Sequence, residues 1–153
     1  MSGIFKGGFD FAKGNCKPLE KRKSVKDLVT PEAAIQTAFF GWLAANEKEF
    51  PVLRWFHHIP NGGFRHKAVA VQMKFQGVKP GVADCFLPVA RKGFNGLYLE
   101  IKTEIGRLSD NQKDFLEFVR AEGFRAEVCR SCREAAEMTI EYLDLPLSTK
   151  YLK

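Results

Sequence analysis

The feature that most narrows what this chain can fold into lies in residues 82–102, where two apolar runs flank a short turn and each carries charge. The first run is Val82-Ala83-Asp84-Cys85-Phe86-Leu87, entered through Pro80-Gly81. The second is Leu97-Tyr98-Leu99-Glu100-Ile101-Lys102, entered through Gly96. Arg91-Lys92-Gly93-Phe94-Asn95 lies between them, so the pair reads as a β-hairpin. Side chains alternate faces along a strand, which places Glu100 and Lys102 on one face and turns Leu99 and Ile101 toward a core. A turn centred on residue 92 sets Asp84 opposite Glu100, and one centred on residue 93 sets it opposite Lys102. Both registers keep the three charges on one side. Asp is poorly suited to a strand interior, so its position between Val82 and Phe86 calls for another explanation than strand formation.

The hairpin sits in a longer alternation of elements. Thr30-Pro31-Glu32 supplies a capping residue, a proline for the first helical position and a first-turn acid, and Ile35, Phe39, Trp42 and Leu43 then recur with helical spacing. Residues 52–59 are aromatic and β-branched and read as a strand, stopped by Pro60-Asn61-Gly62-Gly63. Residues 65–76 form a short helix with Ala68, Val71 and Phe75 on one side, ended by Gly77. After the hairpin, Ser109-x-x-Gln112 is a capping box that opens a helix with Phe115, Leu116 and Val119 inward, closed by Gly123. Residues 124–130 give a further strand. Ser131-x-x-Glu134 is a second capping box, opening a last helix with Cys132, Ala136, Ile140 and Leu143 as its inner stripe. The order is α-β-α-β-β-α-β-α, an α/β (α+β) chain with a mixed sheet flanked by helices.

One domain accommodates this, since 153 residues with 45% hydrophobic content and 14 Phe bury a sizeable core. Three segments are expected: a basic, flexible N-terminal arm over 1–29, a folded domain over 30–143 and a short tail over 144–153. The arm holds Lys6, Lys13, Lys17, Lys21, Arg22, Lys23 and Lys26 against Asp10, Glu20 and Asp27, which is most of the formal net charge of +6. Such an arm suits polyphosphate backbones, and a solubilising tail is the plain alternative. No stretch approaches the roughly 20 apolar residues of a membrane span and no signal peptide opens the chain, so an intracellular protein is expected, in the cytoplasm of a bacterial or phage-infected cell, with no membrane partner. Cys16, Cys85, Cys129 and Cys132 hold one C-x-x-C and no second ligand pair, and reduced structural thiols are the expected reading.

Two carboxylates held close on a rigid sheet repel unless a cation neutralises them, and Mg²⁺ (or Mn²⁺) takes one or two carboxylates together with waters and phosphate oxygens. Asp84 and Glu100 therefore read as metal ligands. Lys102 would orient an attacking water or neutralise a phosphate undergoing displacement. The plain alternative is a Glu/Lys pattern on a half-solvated strand.

The string Asn61-Gly62-Gly63, then Gly77-Val78-Lys79-Pro80-Gly81-Val82-Ala83-Asp84, then Leu97-Tyr98-Leu99-Glu100-Ile101-Lys102, then Gly106-x-Leu108-Ser109-x-x-Gln112 resembles the VRR-NUC domain, the virus-type replication-repair nuclease. The resemblance covers about residues 30–143. It implies the restriction-endonuclease-like, PD-(D/E)xK fold, a mixed central sheet flanked by helices. It also implies Asp84, Glu100 and the Ile101 carbonyl as metal ligands, Lys102 as catalytic lysine, and Glu32 and Gln112 completing the site. Ala83 stands where the family usually has proline, which removes no ligand. Glu32 has a competing reading as a residue favourable to the helix dipole, and Gln112 as a capping-box member. Asn61, Arg65, Lys67, Lys74 and Lys79 gather around a glycine loop just ahead of Asp84 and are expected to grip DNA, against the alternative of a solvated helix face. His57 and His58 are adjacent, point to opposite faces and are read as core or surface histidines.

The function expected from residues and resemblance together is a metal-dependent DNA endonuclease acting on branched DNA such as Holliday junctions, as a homodimer. A flap nuclease, another DNA or RNA nuclease, and a catalytically inactive DNA-binding module of the same fold are the alternatives.

Overall fold

The computed structural model describes residues 31–61 and 67–146, together with the backbone but not every side chain of the helix that begins at Lys67. The arm at 1–29, Thr30, Cys16, Gly62, Gly63, Arg65, the side chains of Lys67 and Ala68, and the tail from residue 147 lie outside the described residues. The elements run α1 (Pro31–Asn46), a 3₁₀ turn (Pro51–Trp55), β1 (His57–His58), α2 (Lys67–Phe75), β2 (Cys85–Leu87), β3 (Leu97–Ile101), α3 (Asp110–Ala121), β4 (Arg125–Cys129) and α4 (Cys132–Leu143).

Among the described residues the strands form one mixed sheet in the order β1-β2-β3-β4. β1 with β2 and β2 with β3 are antiparallel, whereas β3 and β4 pair in parallel. A parallel pair needs a crossover, and α3 is that connection. The hairpin register matches Cys85 with Leu99, Phe86 with Tyr98 and Leu87 with Leu97, which is the turn centred on residue 92. Extended by one pair, it sets Asp84 opposite Glu100.

Alternation along β3 splits the core in two. Leu97, Leu99 and Ile101 join Cys85, Leu87 and Cys129 beneath Phe39 and Leu43 of α1 and Ala135, Tyr142 and Leu143 of α4. On the other face Ala83, Leu116, Val119 and Ala126 pack with Tyr98, Phe115 and Phe124 beneath α3. Each large apolar side chain so buried contributes roughly 1.5–3 kcal/mol.

Local signals account for most boundaries. The Ser109–Gln112 capping box is complete, with each side chain meeting the other residue's backbone amide. In α4 the Ser131 hydroxyl accepts from the Glu134 amide, but the Glu134 carboxylate accepts from the amide of Arg130 rather than closing the box on Ser131. Gly77 takes φ +90° and ends α2, with the Val78 amide donating to Met73 O and the Gly77 amide to Lys74 O.

Three expectations are corrected. The aromatic run at 52–59 is a 3₁₀ turn followed by only two strand residues, because Pro51 starts a helical turn and cannot donate within a ladder. The expected inner side of α2 is not buried: Val71 is exposed and Phe75 is 88% exposed. The inner face of α4 is wider than the expected stripe, since Ala135, Thr139 and Tyr142 are buried too, and the Tyr142 hydroxyl donates to Val89 O at 2.6 Å.

Candidate active site

Strand β3 delivers Glu100 and, one residue beyond its end, Lys102 to the face covered by α3. Asp84 enters from the segment leading into β2, and its Oδ2 accepts the Ile101 amide at 2.8 Å, which locks the acid against the end of β3. Lys102 Nζ lies 2.8 Å from Glu100 Oε1 and 3.5 Å from Glu32 Oε1 at the start of α1. Gln112 reaches the same group: its Nε2 donates to Glu100 Oε1 while its Oε1 accepts the Ser109 amide at 3.0 Å. One Gln112 side chain thus both closes the cap and contacts Glu100. Glu32 likewise sits in the first turn of α1 and faces Lys102.

A half-solvated strand does not describe this arrangement. Glu100 is 0% exposed and Lys102 is 7% exposed. Burial pushes the Glu100 carboxyl up to about 7, with Asp84 and Glu32 adding to the rise and Lys102 opposing it. Burial also raises Asp84, against the Ile101 amide and Lys102, which favour its ionised form. For Lys102 burial disfavours the ammonium, but Glu100, Glu32 and Asp84 together outweigh it and its pKa rises. The group of acids is therefore under-neutralised: three carboxyls face one ammonium. Glu100 Oε2 is buried and has no hydrogen-bond partner, which is costly in the absence of a cation. That orphaned oxygen beside Asp84 fits a hard divalent ion. Among the described residues no cluster of three or more His, Cys, Asp or Glu side chains forms a metal cage, and a two-carboxylate donor set is what Mg²⁺ accepts when water and phosphate complete its shell.

The geometry is held by a close approach between distant segments. Gly81, at φ +87°, lies so near α3 that a Cβ there would stand 2.4 Å from Asn111 O. The Pro80-Gly81 turn is thereby seated against the N-terminus of α3, next to Gln112.

The family model for the VRR-NUC domain matches residues 30–133. The chain belongs to the VRR-NUC family. A solved structure described as a VRR_NUC domain protein is similar at 27% identity with a TM-score of 0.64, covering 76% of this chain and 90% of that one. No curated protein matches. VRR-NUC domains form a nuclease family, and the mixed sheet flanked by helices is the architecture expected from the sequence.

Within this VRR-NUC fold the auxiliary residues separate. Asn61 donates to Val82 O at 3.0 Å and so is tied to the segment ahead of Asp84. Lys74 and Lys79 are exposed. Arg65 and the Lys67 side chain are outside the described residues. His57 and His58 are exposed, as a surface reading required, yet His58 Nδ1 donates to Asp84 O at 2.8 Å. This support for Asp84 was not legible in sequence, because it depends on the β1–β2 pairing. A second missed residue is Arg130, whose Nη1 is within hydrogen-bonding reach of the carbonyls of Thr103, Glu104 and Gly106. Cys85 and Cys129 are buried free thiols with raised pKa values, Cys129 to about 12, and Cys132 is a half-buried free thiol. No helix among the described residues is long and apolar enough to cross a membrane.

Proposed function

We propose that this VRR-NUC chain is a Mg²⁺- or Mn²⁺-dependent DNA endonuclease whose site is Asp84, Glu100 and Lys102, with Glu32 and Gln112 in support. The observation that carries the reading is the buried, partnerless Glu100 Oε2 beside Asp84, in an acidic group that one lysine does not neutralise. Asp84 and Glu100 would hold the ion, with the Ile101 carbonyl as a further donor. When bound, such an ion lowers the pKa of a coordinated water and offsets charge developing on the scissile phosphate. Lys102, kept protonated by its acidic neighbours, acts as a fixed cation against the phosphate rather than as a proton acceptor. Gln112 fixes Glu100 from one side and Glu32 orients Lys102 from another. Asp84 keeps its carboxylate aligned through the Ile101 amide.

Exposed Lys74 and Lys79, with Arg65 and Lys67, are suited to phosphate contacts on the approach to Asp84. Asn61, whose amide nitrogen donates to Val82 O, would be held beside the same approach. The proposed substrate is branched DNA, cut by a homodimer, because paired incisions in a four-way junction are related by a two-fold axis that a dimer of single-site chains reproduces. Partly buried Trp42 stacks on Phe39 against the core, whereas Val69, Val71 and Phe75 of α2 are exposed and offer apolar surface for such an interface.

The test is one assay on labelled four-way junction, flap, duplex and RNA, with and without EDTA. Metal-dependent paired nicks in the junction, from a species of twice the 17.3 kDa chain mass, support the proposal. Cleavage of flaps alone by a monomer replaces it with a flap nuclease, and cleavage that persists in EDTA removes the metal.

A further inference from the structure

The residues that follow Lys102 form a tight turn whose construction is not explained by the catalytic group. Thr103 to Gly106 closes with the Gly106 amide donating to Thr103 O at 3.0 Å. A Cβ at Gly106 would stand 3.0 Å from the Thr103 hydroxyl oxygen, so the turn is nearly filled at its base. Arg130, at the end of β4, spends its guanidinium on backbone: Nη1 reaches Thr103 O, Glu104 O at 3.1 Å and Gly106 O at 2.9 Å. A planar cation bound to three carbonyls of one turn holds it in a single conformation. At the tip of that turn Ile105 is 91% exposed. One exposed apolar side chain is ordinary. A β-branched side chain raised on a turn clamped from beneath, three residues from Lys102, is a prong.

We propose that Ile105 is a wedge that enters the base stack at an interruption of the duplex and so selects branched or nicked DNA for the adjacent site. This rests on the DNA-nuclease reading above. Three residues span at most about 11 Å, which is about three base steps along one strand, so the wedge falls beside the phosphate presented to Lys102. Apolar side chains inserted between base steps must displace stacking, and the cost is lowest where stacking is already broken. Rigidity matters, because a mobile loop would fold away rather than part the bases. The tip is electrostatically balanced, with exposed Glu104 and Arg107 on either side of Ile105 and Gly106, so the turn contributes little to general phosphate affinity.

The experiment compares the full chain with Ile105→Ser and Ile105→Leu. Metal-free binding is followed with 2-aminopurine placed at each of the bases flanking a branch point, and cleavage rates in Mg²⁺ are taken on interrupted and uninterrupted duplexes of the same sequence. The expected result is a fluorescence rise at one flanking base with wild type, lost in Ile105→Ser and restored in Ile105→Leu. The preference for interrupted DNA should fall about tenfold in the serine variant, with the uninterrupted rate and the melting temperature unchanged. Equal losses on all DNAs, or no change in preference, overturn the wedge while leaving the nuclease reading standing. A change in solution mass without a change in preference makes Ile105 a protein contact and overturns it too. Absence of cleavage on every DNA, by wild type as well, defeats the nuclease reading and the wedge with it.

Discussion

The two faces of β3 are made from alternate residues of one strand and have opposite relations to stability. Leu97, Leu99 and Ile101 disappear into an apolar core between the sheet and helices α1 and α4. Tyr98 opens the other face among Phe86, Phe115 and Phe124, but Glu100 and Lys102 continue it with charge at nearly the same burial. One face is buried because burial is favourable. The charged end of the other is buried at a cost, since two raised carboxyls and an orphaned oxygen survive only because the apolar face and α3 hold them there. The proposed site therefore occupies the half of the strand that the rest of the fold must support.

The widest separation between the faces should come from Lys102→Met. Cleavage at saturating metal is expected to fall by at least roughly a hundredfold to a thousandfold, the scale of removing one fixed charge-stabilising donor. Its stability cost should depend on pH, because Glu100 can take up a proton when its ammonium partner is gone. Melting curves should show clear destabilisation at pH 8 and recovery toward pH 5; equal destabilisation at both would mean that Lys102 is held by packing rather than by charge.

Leu99→Ala tests the opposite face. A fully buried leucine leaves a cavity, and loss of about 2–5 kcal/mol is expected in chemical denaturation, with cleavage intact below the new midpoint. Loss of activity at conditions where the variant is still folded would show that the two faces are not separable.

A third contrast uses metal and pH together. Glu100 is raised to about 7 from an ordinary 4.5, so both folded and unfolded chains hold its proton below pH 4.5. As pH rises the unfolded chain ionises first, and the metal-free protein loses stability from about pH 4.5 to 7 and does not regain it above. Mg²⁺ or Mn²⁺ at a hundred times its dissociation constant should add about 2.7 kcal/mol above pH 7 and little at pH 4.5. A metal-induced shift in melting temperature that ignores pH would place the ion elsewhere.

The smallest effect separates two similar caps. Ser109→Ala and Ser131→Ala each remove a hydroxyl that accepts a helix amide and should each cost about 1 kcal/mol. Only the Ser109 hydroxyl also donates to Gln112 Oε1, at 3.2 Å, and Gln112 contacts Glu100, so only Ser109→Ala should also slow cleavage. Matching cleavage rates for the two variants would reduce Gln112 to a cap.

The hairpin and both helix starts were readable in sequence because strand alternation and capping depend on neighbours a few residues apart, whereas the choice between two turn centres was made by the β2–β3 pairing. Asp84, Glu100 and Lys102 were legible for the same reason, as charges of one parity within apolar runs. Their burial was not, because it depends on α3 closing over β3 and on Gly81 meeting Asn111, contacts between segments far apart in the chain. The 3₁₀ turn at Pro51–Trp55 misled because its aromatic and β-branched residues suit a strand, while Pro51 determines the backbone. The exposed side of α2 shows the converse, an amphipathic pattern with no surface in the described residues to cover it.

The parallel pairing of β3 with β4 also dictates when the site can come into being during synthesis. A nascent chain that has emerged only through Lys102 already owns the lysine and both acids proposed as metal ligands, on a hairpin that local contacts can assemble. It lacks Gln112, which arrives with the crossover helix, and it lacks the α4 surface against which α1 packs, bringing Glu32 to Lys102. Contacts of such long sequence separation form late. A nuclease built this way stays unarmed while it is being made, and its cutting edge is set only once residues from the last helix have closed over the first.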